Sequence, residues 1–166
     1  MPRYVKVPDW PPDHARQAYR DKYFFEAIQT LHSWLECKLR ELLLLQRTVA
    51  GVDRHGWARS WDLSNEFSLN NAAKALFILG SISETELARI VDFNRIRNNI
   101  VHKLFWDPYN ESWKGVPKNE YDRAFKAGLK LCEEIEFKSG EVVSKTDPSN
   151  KALLPTPALT RRRGRA

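Results

Sequence analysis

An all-α fold, an antiparallel bundle of four or five helices, is what this sequence predicts. Three observations carry that expectation. Phe24, Ile28, Leu31, Leu35, Leu39 and Leu42 recur at spacings of three and four, the mark of one buried helical face. Ser83 with Glu86 three residues later makes a capping box, the start signal of another helix. No stretch alternates apolar and polar residues as a half-buried strand does, and no internal repeat is present.

The elements follow in chain order. Residues 1–12 hold Pro2, Pro8, Pro11 and Pro12 and predict an extended arm. A helical pattern runs from about Asp13 to Arg47, long enough for a bend or break. The stretch VAGVDRHGWARSWDLS interrupts it, and Gly51 and Gly56 mark a loop. A second helix is predicted over Glu66–Leu79, with Gly80 as its stop. The capping box opens a third, which fades near Trp106–Pro108. DPYNESWKGVP is a turn-rich connector, and a last helix covers Lys118–Phe137 with Tyr121, Phe125, Leu129 and Cys132 along one face. One domain of 166 residues is expected, its helical body over 13–138 and a basic, flexible tail over 139–166.

The net charge is +6 and uneven. From Ser139 onward Lys145, Lys151, Arg161, Arg162, Arg163 and Arg165 face only Glu141 and Asp147, so the tail carries most of the excess. Such a tail attracts phosphate polymers or acidic surfaces without specificity, or serves only to solubilise. No apolar run reaches the roughly 18 residues of a membrane span, and the N-terminus lacks the apolar core of a secretory signal. A cytoplasmic protein is expected. Cys37 and Cys132 have no metal-type spacing and read as small buried residues in a reducing compartment. No His/Cys cluster suggests zinc, no glycine-rich loop suggests a P-loop, and no cofactor is expected.

The polar content of the third helix is the best functional lead. On a helical wheel, with about 100° per residue, Leu87, Ile90, Val91, Ile100, Val101, Leu104 and Phe105 share one arc. Arg97 projects into the middle of that arc, Asn94 and Asn98 near one side, and His102 at its edge. An unpaired buried guanidinium costs several kcal/mol, so Arg97 requires a partner or a wet cleft. Glu36, on the flank of the first helical face, is a candidate partner. His32, four residues before Glu36, reads as a helix-flank residue with a local hydrogen bond. A histidine moves protons near neutral pH, and an arginine holds a phosphate and stabilises charge growing on it. Together they suit attack of an RNA 2′-hydroxyl on its own phosphodiester, a reaction that needs no metal. In the predicted loop, Arg54, His55 and Arg59 interleave with Trp57 and Trp61. That pattern fits RNA stacked on aromatic rings, although tryptophans in a small domain more often pin a loop to the core.

RNNIVH, over 97–102, resembles the R-x4-6-H motif of the HEPN superfamily, here with four intervening residues and Asn98 in the polar second position. FFEAIQTLHSWLECKLRELL is similar to that family's opening helix, with Glu36 where many members carry a polar residue. The resemblance covers roughly residues 22–137 in pattern, and only the short motif is specific. It implies an all-α bundle, a homodimer whose two motifs form one composite site, and metal-independent endoribonuclease activity. Toxins of toxin–antitoxin pairs and antiviral effectors are among its members. By carry-over, His102 is the acid/base, Arg97 the phosphate-binding group and Asn98 their support, with Glu36 and Asn94 behind them. Some toxins of this kind carry a tyrosine two residues after the histidine, modified by an antitoxin. Leu104 stands there in this chain, so that form of regulation is not implied, though an antitoxin or other regulatory partner is. Other members are non-catalytic nucleotide-, RNA- or protein-binding modules, which is the alternative function. A third possibility is a purely structural helical protein with Arg97 internally paired.

Overall fold

A computed structural model describes residues 9–51, 54–103 and 115–145, with the side chains of Arg54, His55 and Lys145 outside that description. Six helices make up the described residues: α1 (Pro11–Arg20), α2 (Phe24–Val49), α3 (Arg54–Ser64), α4 (Leu69–Ile78), α5 (Glu84–Lys103) and α6 (Lys118–Lys145). The chain is an all-α bundle, with more helices than the four or five expected. None is long and apolar enough to cross a membrane.

Two features raise the count. The long pattern from Asp13 is broken at Lys22, whose φ of 68° places it in the left-handed region. Tyr23 N–H donates to Ala18 C=O and Lys22 N–H to Tyr19 C=O, the paired bonds of a Schellman stop. Glycine usually occupies that position, so the stop carries no glycine signal. Lys22→Gly should relieve the strain and raise stability by about 1 kcal/mol, read as a higher urea midpoint. The second feature is α3, which stands where a loop was expected. Gly51 (φ 82°) ends α2 as read, but Gly56 lies inside the first turns of α3. Trp57 packs into the fold and its ring stacks on that of Trp61, 5.6 Å away.

The ends of the other helices show ordinary chemistry. Pro11 and Pro12, assigned to an extended arm from sequence, form the first turn of α1, where a missing N–H costs nothing. Ser68 Oγ accepts from Asn71 N–H to start α4, a few residues later than expected. The capping box of α5 is formed: Glu86 N–H donates to Ser83 Oγ at 3.2 Å, and Ser83 N–H to Glu86 Oε2 at 2.7 Å. Glu86 is also bridged by Lys138 of α6 at 2.7 Å. α6 runs on to Lys145, so residues 139–145, read as tail, are helical, and Val142 packs against the core.

α2 lies at the centre. Phe24 and Tyr121 meet at one end of its contact with α6, and Leu31 meets Gly128 and Cys132 further along, so these two helices run parallel. That departs from the expected all-antiparallel order. α5 is antiparallel to both, as Arg97–Gln29 and Asn94–His32 show on α2 and Arg89–Glu134 shows on α6. α1 folds back along α2 and α6. Its Tyr19 hydroxyl donates to Asp122, and its ring stacks on Phe125 at 4.0 Å. The core is Leu31, Leu35, Leu39 and Leu42 of α2 with Ile90 and Phe93 of α5 and Leu131 and Ile135 of α6. A smaller cluster of Ile28, Ile96, Ile100, Tyr121 and Ala124 continues it towards the end of α5.

Candidate functional site

The site lies along the seam where α5 crosses α2. The fully buried positions of α5 are Ile90, Phe93, Ile96 and Ile100. Phe93 and Ile96 were absent from the sequence-based arc. Their burial shifts its centre away from Asn94, Asn98 and His102 and leaves Arg97 partly exposed rather than in the middle of the core.

Arg97 is held by two neutral acceptors. Its Nε donates to Gln29 Oε1 at 2.7 Å, and its Nη1 donates to Asn98 Oδ1 at 2.8 Å. Among the described residues Nη2 has no partner. Burial lowers the Arg97 pKa while the Glu36 carboxylate pulls it up, and a guanidinium stays charged in either case. Glu36 is not the hydrogen-bonding partner expected from sequence. It pairs with Arg40 at 2.9 Å, one turn along α2, and Arg40 Nε in turn donates to the Phe67 carbonyl at 2.7 Å, before α4. The i,i+4 arginine takes the carboxylate first, and Glu36 acts on Arg97 only through space.

His32 is the residue that sequence reasoning underrated. Its Nε2 donates to Asn94 Oδ1 at 3.0 Å across the seam, rather than bonding within α2. Burial is the main cause of its lowered pKa, with Arg97 adding to it and the Asn94 bond and Glu36 opposing. His32 is therefore neutral at pH 7, and its Nδ1 is left as an acceptor. Because the unfolded chain takes up that proton more readily, this group's contribution to stability is full above the unfolded value of about 6.5. It is lost as pH falls through the lower folded value. His32→Gln, which keeps a donor for Asn94, should reduce the drop in urea midpoint between about pH 7.5 and about pH 5.5.

The structure thus brings together Gln29, His32, Glu36, Asn94, Arg97 and Asn98. His102 is exposed at the C-terminal end of α5, one turn beyond Asn98. Arg59 is exposed on α3, which packs on α2 rather than α5, so it is not gathered with Arg97. The side chains of Arg54 and His55, the other two proposed RNA contacts, lie outside the described residues, as does Leu104. Cys132 is buried and its thiol is pushed up to about 12, chiefly by burial. Cys37 is exposed on α2, contrary to the buried reading, and neither cysteine is in a disulfide. Among the described residues no three His, Cys, Asp or Glu side chains are grouped to hold a metal ion.

Gln29 also borders an open groove of about 380 Å³ on the solvent side of α2. Pro11, Glu26, Thr30, Ser33 and Trp34 complete its lining. Trp34 is braced by Trp10, edge to face at 4.6 Å, and by the Lys38 ammonium 4.8 Å from its ring centre.

Chemically, the seam offers a fixed, partly exposed cation, two amides that set its orientation, a neutral imidazole, and an exposed histidine one turn beyond Asn98. No protein-family model matches this chain, and no curated protein sequence and no solved structure matches it either.

Proposed function

We propose that the chain is a metal-independent endoribonuclease of the HEPN type, acting as a homodimer in which two α5 motifs share one site. The observation that carries this reading is the state of Arg97. It sits at the rim of an apolar helix face, partly exposed, and among the described residues its hydrogen bonds go to Gln29 and Asn98 and to no carboxylate. A structural arginine at such a place would be neutralised by an acid, because a charge held only by amides keeps its attraction for an anion. His102 supplies the proton transfer: it takes the 2′-hydroxyl proton or returns one to the departing 5′-oxygen. Arg97 stabilises the charge building on the phosphorane. A role as toxin or defence effector, with a regulatory protein partner, follows from the same reading.

The exposure of His102 at the C-terminal end of α5 favours a second reading: a non-catalytic nucleotide-, RNA- or protein-binding module using the same seam. The two separate in one assay, purified protein on mixed single-stranded RNA with EDTA, beside His102→Ala and with solution mass measured on the same sample. The nuclease gives fragments ending in 2′,3′-cyclic phosphate, a dimer mass, and a loss of at least about 100-fold in rate for His102→Ala. Cleavage by His102→Ala at the wild-type rate removes the assigned site, and binding without any cleavage selects the module.

A further inference from the structure

The groove beside Gln29 has no role in the chemistry described so far. We infer that it is a nucleobase subsite, holding the base of the nucleotide whose phosphate lies on Arg97. The inference rests on the proposed placing of a phosphate at that guanidinium.

Three observations lead there. The first is position. Gln29 Oε1 accepts from Arg97 Nε, and the same side chain lines the groove, so the groove begins one side-chain length from the guanidinium. A base stands about that far from its own phosphate. The bond to Arg97 also fixes the amide orientation, which leaves the Gln29 NH₂ group as a donor with no partner among the described residues.

The second is chemistry. Pro11 and Trp34 provide apolar walls, while the hydroxyls of Thr30 and Ser33 and the amide of Gln29 are a few polar groups among them. A planar heterocycle with a hydrogen-bonding edge requires that mixture. The volume of about 380 Å³ lies in the lower part of the roughly 300–1,000 Å³ range of small-molecule sites.

The third is charge. Glu26 lines the groove, tied to His14 at 2.9 Å. A carboxylate repels a phosphate but accepts from the exocyclic amine of a base, so the groove suits the neutral part of the nucleotide and Arg97 the charged part.

The test uses ligands that cannot be cleaved. The full-length protein is titrated calorimetrically with AMP, UMP and ribose 5-phosphate, the last carrying the phosphate and sugar without a base. At least one nucleotide should bind roughly tenfold more tightly than ribose 5-phosphate, the scale of one base–aromatic contact. Ser33→Trp, at an exposed position of α2, should erase that difference, and Thr30→Tyr should do the same by a second route. Arg97→Ala should weaken all three ligands alike. Equal affinity for the three, no binding of any at millimolar concentration, or a difference that survives both groove-filling variants overturns the subsite. RNA cleavage together with any of these results removes the subsite alone. A preference for nucleotide in a protein that cleaves nothing removes the nuclease and keeps the subsite.

Discussion

Gly128→Leu should cost the fold a large share of its stability. Gly128 lies at the point where α6 meets both α2 and α5. A Cβ added there would stand 2.7 Å and 2.8 Å from two ring carbons of Phe93 and 3.3 Å from Leu31 Cδ1. Phe93 and Leu31 are both fully buried, so neither side chain can swing into solvent to make room. Alanine already sets two effects against each other. It gains about 1 kcal/mol in helix propensity over glycine and loses about 1–3 kcal/mol to overpacking, for a net loss of up to about 2 kcal/mol. Leucine adds three more carbons to the same contact with no further propensity gain. Its cost should exceed about 4 kcal/mol, a large share of the 5–15 kcal/mol that holds a domain of this size. Urea denaturation followed by circular dichroism reads both variants. Shortening the opposing ring should compensate, so Phe93→Leu should cost less in the Gly128→Ala background than alone. A Gly128→Leu protein that melts like wild type would mean that the three helices do not converge on this residue.

That contact also shows what sequence can and cannot carry. The spacings of α2, α5 and α6 are legible because each helix buries one stripe, and the Ser83–Glu86 box is local chemistry that the fold keeps. The break after α1 is illegible because a lysine, Lys22, takes the conformation that glycine usually announces. α3 is illegible because a glycine in its first turns and a mixed Trp/Arg/Ser composition hide a face that needs only a few contacts with α2. The parallel arrangement of α2 and α6 is a long-range property with no local mark. In the candidate site, Arg97, Asn94 and Asn98 stand out because polar residues interrupt an apolar arc. Gln29 and His32 do not, because only the register of α5 against α2 sets them opposite Arg97 and Asn94. Glu36, on the flank of the first helical face, reads as a candidate acid for Arg97, yet Arg40 lies one turn away on the same helix and captures it. For the same reason a double replacement of Arg97 by Met and Glu36 by Leu would not test a structural pair cleanly: it would take the carboxylate from Arg40 instead.

Arg97→Ala is the cleaner experiment, and its outcome separates a working guanidinium from a structural clip. If Arg97 stabilises charge on a reacting phosphate, its loss should lower RNA cleavage by roughly two to three orders of magnitude, the usual effect of removing one such donor. Stability should change little. Gln29 and Asn98 are partly exposed, so the oxygens released by Arg97 can turn to water, at a cost of about 1 kcal/mol. Arg97→Lys refines the result. A lysine keeps the charge but is a point donor on a flexible stem. It cannot bridge Gln29 and Asn98 at once while presenting a planar edge to a phosphate. Lysine should therefore recover part of the phosphate affinity and little of the rate, which appears as a KM near wild type with a much reduced kcat. A structural clip predicts the reverse: Arg97→Ala would lose several kcal/mol in urea, Arg97→Lys would restore most of it, and any cleavage would follow the folded fraction. Measuring kcat, KM and the urea midpoint on the same three preparations decides between them, because only a group that meets the substrate moves the rate while leaving the midpoint in place.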